Sequence, residues 1–214
     1  MLPETPEEIN ENISKLLDRL KLKSEPVIVP VILEPNAKLE NCFINVQEKV
    51  KNYGGKIIYG WALYQSTIIC EAIRHAVWKS PDGNLVDITP TNFGFKKTMF
   101  IDDDLEYYGQ LIDSVRLNIT GEKIIDDFIK ICEAYEYFHT LSERESEGVI
   151  LVAPKVAQLI DQYVKLKEFI QTYINAKGIK NLICFCGSSK IYDDCHGKII
   201  RLNIPKDIAL AQRS

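Results

Sequence analysis

Cys70 to Pro90, CEAIRHAVWKSPDGNLVDITP, is the stretch that decides how the first half of the chain folds. It reads as one β-hairpin. Glu71, Ile73, His75 and Val77 share one face by the two-residue period of a strand, and Ala72, Arg74, Ala76 and Trp78 share the other. Pro81-Asp82-Gly83-Asn84 supplies turn chemistry, so the returning strand brings Asp87 back beside His75. Neighbouring strands lie about 4.8 Å apart, close enough for an imidazole and a carboxylate at the same level to bond directly.

Upstream of the hairpin, Lys56 to Leu63 reads as a strand with Gly60 inside it, and Gly54-Gly55 ends a preceding helix. That helix covers Asn41 to Val50, with Phe43, Val46 and Val50 on one apolar stripe, and it places Cys42 in the first turn. A helix N-terminus carries partial positive charge and free N–H groups, which lower a thiol's pKa and can hold an oxyanion beside it. Pro26 to Leu33 is β-branched and interrupted by Pro30, which suits an edge strand or an extended connection. At the start of the chain Thr5-Pro6-Glu7-Glu8 has the chemistry of a capping box, and Ile9, Ile13, Leu16, Leu17 and Leu20 follow at helical spacing. This amphipathic helix is expected to brace the main domain, with a partner-binding helix as the alternative.

Downstream, Lys97 to Ile101 forms one more short strand, and Asp102-Asp103-Asp104 reads as a solvated turn without a role. From Thr120 the period becomes helical. Gly121 to Glu147 and Pro154 to Ala176 make a helical hairpin, with a turn from Glu145 to Ala153 and Gly178 closing the second helix. His139 has no companion ligand nearby and reads as a structural histidine. Lys198 to Ser214 is expected to be a short, mildly basic tail.

The balance of 26 basic and 30 acidic residues, net −4 over 214 residues, argues against general nucleic-acid binding. No run approaches the length of a membrane span, and the first residues are acidic where a secretory signal is basic and then apolar, so a cytoplasmic protein is expected. Of the six cysteines, Cys42, Cys70 and Cys132 are scattered, whereas Cys184, Cys186 and Cys195 lie close together with His196 adjoining. A tight cluster of this kind reads as a metal site rather than a disulfide framework.

Two resemblances sharpen these readings. Cys42, the Gly54-Gly55 stop, the strand to Trp61, His75-Ala76-Val77-Trp78, Asp82-Gly83 and Asp87-Ile88-Thr89-Pro90 follow the order of a transglutaminase-like or papain-like thiol enzyme over residues 35 to 105. The resemblance implies an α+β fold with Cys42 as nucleophile, His75 as base and acid, and Asp87 as orienter of the ring; Glu71, on the face of His75, is an alternative orienter. It also implies an oxyanion site made of the Cys42 N–H and one further donor, with Asn41, Trp61 and Tyr64 as candidates.

The second resemblance lies between Cys184 and Gly197, CFCGSSKIYDDCHG, which resembles the SEC-C zinc-binding motif with Phe185 where the motif has proline. It implies Zn2+ held by Cys184, Cys186, Cys195 and His196 in a closed tetrahedral site, with Gly187 and the serines turning backbone N–H groups toward the sulfurs. It further implies a protein partner, with the ribosome as the one nucleic-acid-containing contact. The expected architecture is therefore a thiol-enzyme-like domain over 1–118, a helical hairpin over 119–178 and a zinc knuckle with its tail over 179–214. The expected function is cysteine-dependent acyl transfer, as an amidase, peptidase or deamidase docked through the zinc module. The alternative is a non-catalytic zinc-binding adaptor that uses the module for protein recruitment.

Overall fold

The computed structural model describes residues 2–22, 24–104, 114–146, 149–180 and 182–213. They form two compact units, Met1–Ile119 and Thr120–Ser214. The first unit runs α1 (Glu11–Leu20), β1 (Val27–Pro30), α2 (Cys42–Tyr53), β2 (Lys56–Gln65), β3 (Ile69–Lys79), β4 (Leu85–Val86), β5 (Lys97–Asp102) and β6 (Val115–Asn118). Its strands make one antiparallel sheet in the order β1-β5-β2-β3-β4, with β6 also paired to β3. The sheet nearly closes on itself, because the chain after β4 leaves β3 and bonds β1: Asp87 N–H donates to Pro30 O at 3.0 Å and Ile32 N–H to Asp87 O at 2.9 Å.

The alternation is present along β3, but the returning strand of the expected hairpin is only Leu85–Val86, and Asp87 has already left β3 to pair with Val31 beyond β1. Val77 packs inside the curled sheet with Val29 and Phe100, while Ala76 packs outward against Val46 and Ile88. On its outer edge β3 pairs with β6 over Ile69 to Ala72 and with β4 at Trp78 and Lys79. The stretch between, which holds His75, carries no paired strand there among the described residues, and α2 packs against this part of β3.

Gly60 is the residue opposite His75, and a methyl group there would meet Ile101 O at 2.1 Å and the Phe100 ring at 2.5 Å. The curl of the sheet depends on that missing side chain. Gly60→Ala should therefore destabilise the protein by about 3 kcal/mol, the upper part of the overpacking range, seen as a lower urea midpoint at unchanged m.

The amphipathic helix begins later than its capping chemistry suggests. Asn10, not Thr5, is the N-cap, its Oδ1 accepting from the N–H groups of Asn12 and Ile13 at 3.0 Å. Glu4 is instead bridged to Gln65, and Thr5 donates to Lys97 O, so the first residues are held extended against the sheet. The helix braces the sheet as expected, with Ile13 and Leu16 fully buried among Trp61, Leu63, Met99 and Ile101. Pro26 to Leu33 contributes the edge strand β1, ending at Pro30.

The second unit contains α3 (Lys123–Thr140), β7 (Glu143–Ser146), β8 (Val149–Leu151), α4 (Pro154–Lys177), a 3-10 turn (Tyr192–Asp194) and α5 (His196–Ala211). The first helix of the expected hairpin stops at Thr140 rather than Glu147, and a two-stranded ribbon of β7 and β8 intervenes. Its apolar periodicity ends at Phe138, so nothing beyond would hold a continued helix in the core. The expected turn at Glu147 and Gly148 lies outside the described residues. α3 and α4 pack together with the Phe138 and Tyr163 rings edge to face at 5.0 Å.

The expected basic tail is a 16-residue helix, α5. Ile200, Ile204 and Ala211 bury its inner face, and Asp207 accepts from Tyr163 OH at 2.9 Å. Among the described residues no helix is long and apolar enough to cross a membrane.

Candidate functional site

Cys42 is the first residue of α2 and is 6 % exposed. The Asn41 side chain does not cap the helix, so it occupies none of the first-turn N–H groups. His75 is buried beside it, close enough for the Cys42 sulfur to act on its ring. The other side of the ring is fixed: His75 Nε2 lies 2.8 Å from Asp87 Oδ2. That pairing leaves Nδ1 as the nitrogen for the thiol. The structure thus brings Cys42, His75 and Asp87 together at the gap in the outer edge of β3.

Asp87 is 1 % exposed and fully engaged. Its Oδ2 also accepts from Thr98 Oγ1 at 2.8 Å, and its Oδ1 accepts from the Thr89 N–H at 3.1 Å. Burial alone would raise this carboxyl, but the His75 charge and the three hydrogen bonds hold it below the usual carboxylate range. Burial alone would lower His75, yet the Asp87 carboxylate and the Cys42 sulfur outweigh it and raise the ring well above its ordinary value.

The linkage signs follow. The raised His75 contributes stability that is fully present below its ordinary pKa of 6.5 and is lost as pH climbs through its folded value. The lowered Asp87 contributes stability that is present above its ordinary 3.8 and is lost as pH falls through its folded value. The difference in unfolding free energy between the parent protein and His75→Gln should therefore be greatest between these two ordinary values and shrink toward alkaline pH. Urea titrations across that range check it.

The alternative orienter and one oxyanion candidate are committed elsewhere. Glu71 Oε1 pairs with Arg116 Nε at 2.6 Å, so Asp87 is the carboxylate on His75. Trp61 faces the α1 side of the sheet, and its Nε1 donates to Asp103 Oδ2 at 2.9 Å, which removes it as an oxyanion donor. That bond also corrects the reading of Asp102 to Asp104 as a solvated turn: Asp103 binds buried Arg74 at 2.7 Å as well. Tyr64 remains beside the site, 8 % exposed, stacked on Phe95 at 5.2 Å. Burial and the nearby Asp87 and Cys42 push its hydroxyl strongly upward, so it stays a neutral donor.

At the other end of the chain, Cys184, Cys186, Cys195 and His196 present donor atoms that all lie within 4.8 Å of one another. Cys186 Sγ and Cys195 Sγ are 3.6 Å apart, and His196 Nδ1 is 3.1 Å from Cys184 Sγ and 3.6 Å from Cys195 Sγ. A tetrahedral ion with metal–sulfur bonds of about 2.3 Å and a metal–nitrogen bond of about 2.0 Å needs edges of about 3.8 and 3.5 Å. The donor set therefore fits one metal ion. All six cysteines are free thiols.

The surroundings of the sulfurs suit that role. The Ser188 hydroxyl and N–H hold the Cys186 thiol down at about 6, and the N–H groups of Cys186 and His196 point at Cys184, where burial pushes upward. Phe185 sits at the centre of an aromatic cluster, 4.7 Å from the Phe169 ring, 5.6 Å from Tyr173 and 4.5 Å from His196. A proline could not join α4 to the loop in this way. Tyr173 OH also donates to Ile183 O.

Two residues that help seat the cluster, Asp127 and Arg201, lie outside the Cys184–Gly197 stretch. Asp127 on α3 is 0 % exposed and accepts from Tyr192 OH at 3.1 Å and Arg201 Nη1 at 2.7 Å. Gly197 lets the Tyr192 ring approach, since a Cβ there would lie 2.7 Å from it. Burial raises the Asp127 pKa against the pull of Arg201 and Tyr192. His139 is half-buried and edge-on to Tyr135, lowered by burial and by Lys167, in keeping with a structural residue.

Comparison of the chain with family models, curated proteins and solved structures finds no match.

Proposed function

We propose that the protein is a cysteine-dependent acyl-transfer enzyme, an amidase, peptidase or deamidase, that meets a protein partner through a zinc module at its C-terminus. One observation carries the reading: a thiol at a helix N-terminus lies within reach of a histidine whose other nitrogen is held by a buried carboxylate. In the reaction, Cys42 Sγ attacks the carbonyl carbon of the acyl donor while its proton passes to His75 Nδ1. The same proton leaves on the departing amine as the carbon–nitrogen bond breaks, giving a thioester on Cys42. Water or an acceptor amine, deprotonated by His75, then takes the acyl group and frees the thiol. Asp87 keeps the ring in the tautomer that presents Nδ1 to sulfur. The Cys42 N–H, with Tyr64 OH or Asn41 beside it, is suited to the oxyanion.

Cys184, Cys186, Cys195 and His196 would hold zinc, whose chemistry here is structural: three thiolates and one imidazole leave no open position. The resemblance of this segment to SEC-C modules supports recruitment of a protein.

Alkylation with iodoacetamide tests the reading. At pH 6 Cys42 should react about a hundredfold faster than a model thiol, and His75→Ala should remove that advantage. Reaction at the rate of the model thiol in both proteins would instead favour the non-catalytic adaptor.

A further inference from the structure

The helix that carries Cys42 is held against β3 by Val46, Phe43 and Val50, which meet Ala76, Ile88 and Trp78. Apolar contacts of this kind are non-directional. They set which face of α2 is inward but tolerate a slide along its axis, and one residue of slide moves the thiol by about 1.5 Å. Reaction geometry does not tolerate that, since a misplacement of about 1 Å can cost a hundredfold in rate. Some directional contact must fix the axial position.

Asn45, one turn after Cys42 and 5 % exposed, makes that contact. Its Oδ1 accepts from Lys38 N–H at 2.9 Å, and its Nδ2 donates to Lys38 O at 2.8 Å and to Thr89 Oγ1 at 3.1 Å. Both amide hydrogens are used. Thr89 in turn donates its N–H to Asp87 Oδ1, and Asp87 holds His75. The contacts therefore link the helix that carries Cys42, through Asn45, Thr89 and Asp87, to the His75 ring.

A second clasp lies beside the first. Glu40 N–H donates to Pro90 O at 3.1 Å, and Asn92 Nδ2 donates to Glu40 Oε1 at 2.8 Å. Glu40 takes a left-handed φ of 55°, costly for a residue with a side chain and tolerated where the surroundings over-determine it. The turn into Cys42 is thus tied twice to the segment that follows Asp87.

We infer that Asn45, acting through Thr89, is a positioning residue that fixes the Cys42 sulfur against His75 and couples the nucleophile's placement to the carboxylate that orients the ring. The inference rests on the acyl-transfer reading. It predicts that loss of the Asn45–Thr89 bond separates thiol reactivity from His75 without removing either group.

The test is the rate of Cys42 alkylation by iodoacetamide between pH 5 and 9, on the full chain, with thermal melts alongside. Asn45→Ala and Thr89→Val should lower the rate at pH 6 by about ten- to a hundredfold and give a profile close to that of His75→Ala. Thr89→Ser, which keeps the hydroxyl, should retain the parent profile. A purely structural role would lower the melting temperature and leave the profile's shape intact; that result, in Thr89→Val alone if Asn45→Ala does not fold, overturns the inference. If the parent profile already matches that of His75→Ala, the acyl-transfer reading fails and the inference falls with it. A parent profile that depends on His75 but survives both substitutions leaves the reading standing and ends the inference alone.

Discussion

If Cys184, Cys186, Cys195 and His196 hold the proposed structural zinc, a strong chelator will release the segment from Leu182 to Ala211 and lower the melting temperature of the Thr120–Ser214 unit by about 15–30 °C. Structural zinc contributes about 10–16 kcal/mol to the folding of the smallest modules, and even a loss of about 4 kcal/mol moves a unit of this size by that amount. The residues explain the sensitivity. Three thiols and an imidazole lie within 4.8 Å, and with Cys186 held at about 6 that crowding concentrates negative charge unless a cation neutralises it. Phe185 shares its aromatic cluster with Phe169 and Tyr173 of α4, so loss of the loop also strips a face of that helix. Hydrogen-exchange mass spectrometry should show peptides from 182–211 losing protection while those from residues 1–119 keep theirs. Metal analysis should find one zinc per chain, and a chain without metal that keeps the same protection would end the proposal of a structural zinc.

His75→Ala should lower turnover of an activated acyl donor such as 4-nitrophenyl acetate by about 10³–10⁴, and Asp87→Asn by about 10²–10⁴, at unchanged helix content. The two differ because of what each leaves behind. Without the imidazole the Cys42 proton has no acceptor, whereas asparagine keeps a contact to the ring but places its NH2 where either Thr98 Oγ1 donates to Oδ2 or the Thr89 N–H donates to Oδ1. The ring then loses the charge that raises it, and its tautomer is no longer set. Cys42→Ala provides the baseline. Equal turnover by the parent protein and Cys42→Ala would show that the hairpin does not do acyl chemistry.

Much of the first unit was legible because strand and turn chemistry are local. The period of residues 70–79 and the Pro81–Asn84 turn are enough to reverse the chain into β4, and Gly54-Gly55 is enough to stop α2, whereas Asp87 is set beside His75 by its pairing with the chain after β1. Thr5 has the chemistry of a cap, yet its hydroxyl is spent on Lys97 O, and Asn10, five residues on, caps α1 instead. A bridge to Gln65, sixty-one positions from Glu4, decides between them. The role of Asp103 is hidden for a similar reason: a run of aspartates looks solvated until the sheet brings Trp61 and Arg74 to it. In the second unit the Cys-x-Cys and Cys-His spacing carried the metal cluster, but nothing local distinguishes Asp127 from the neighbouring Asp126, or marks Arg201 as its partner.

By itself the sequence determined which residue types come near each other: a thiol at a helix start, an imidazole on a strand with a carboxylate after the turn that follows it, and four side chains of metal-ligand type close together in the chain. These depend on short-range periodicity, turn geometry and spacing, which neighbouring residues dictate. Only the tertiary structure decided that Asp87 rather than Glu71 serves His75, that Trp61 is spent on Asp103, that the supposed tail is a helix, and that Asn45 is tied to Thr89. Each of these is a choice among partners far apart in the chain, made by burial and directional hydrogen bonds, and a buried polar group reveals its partner only when the elements around it have closed.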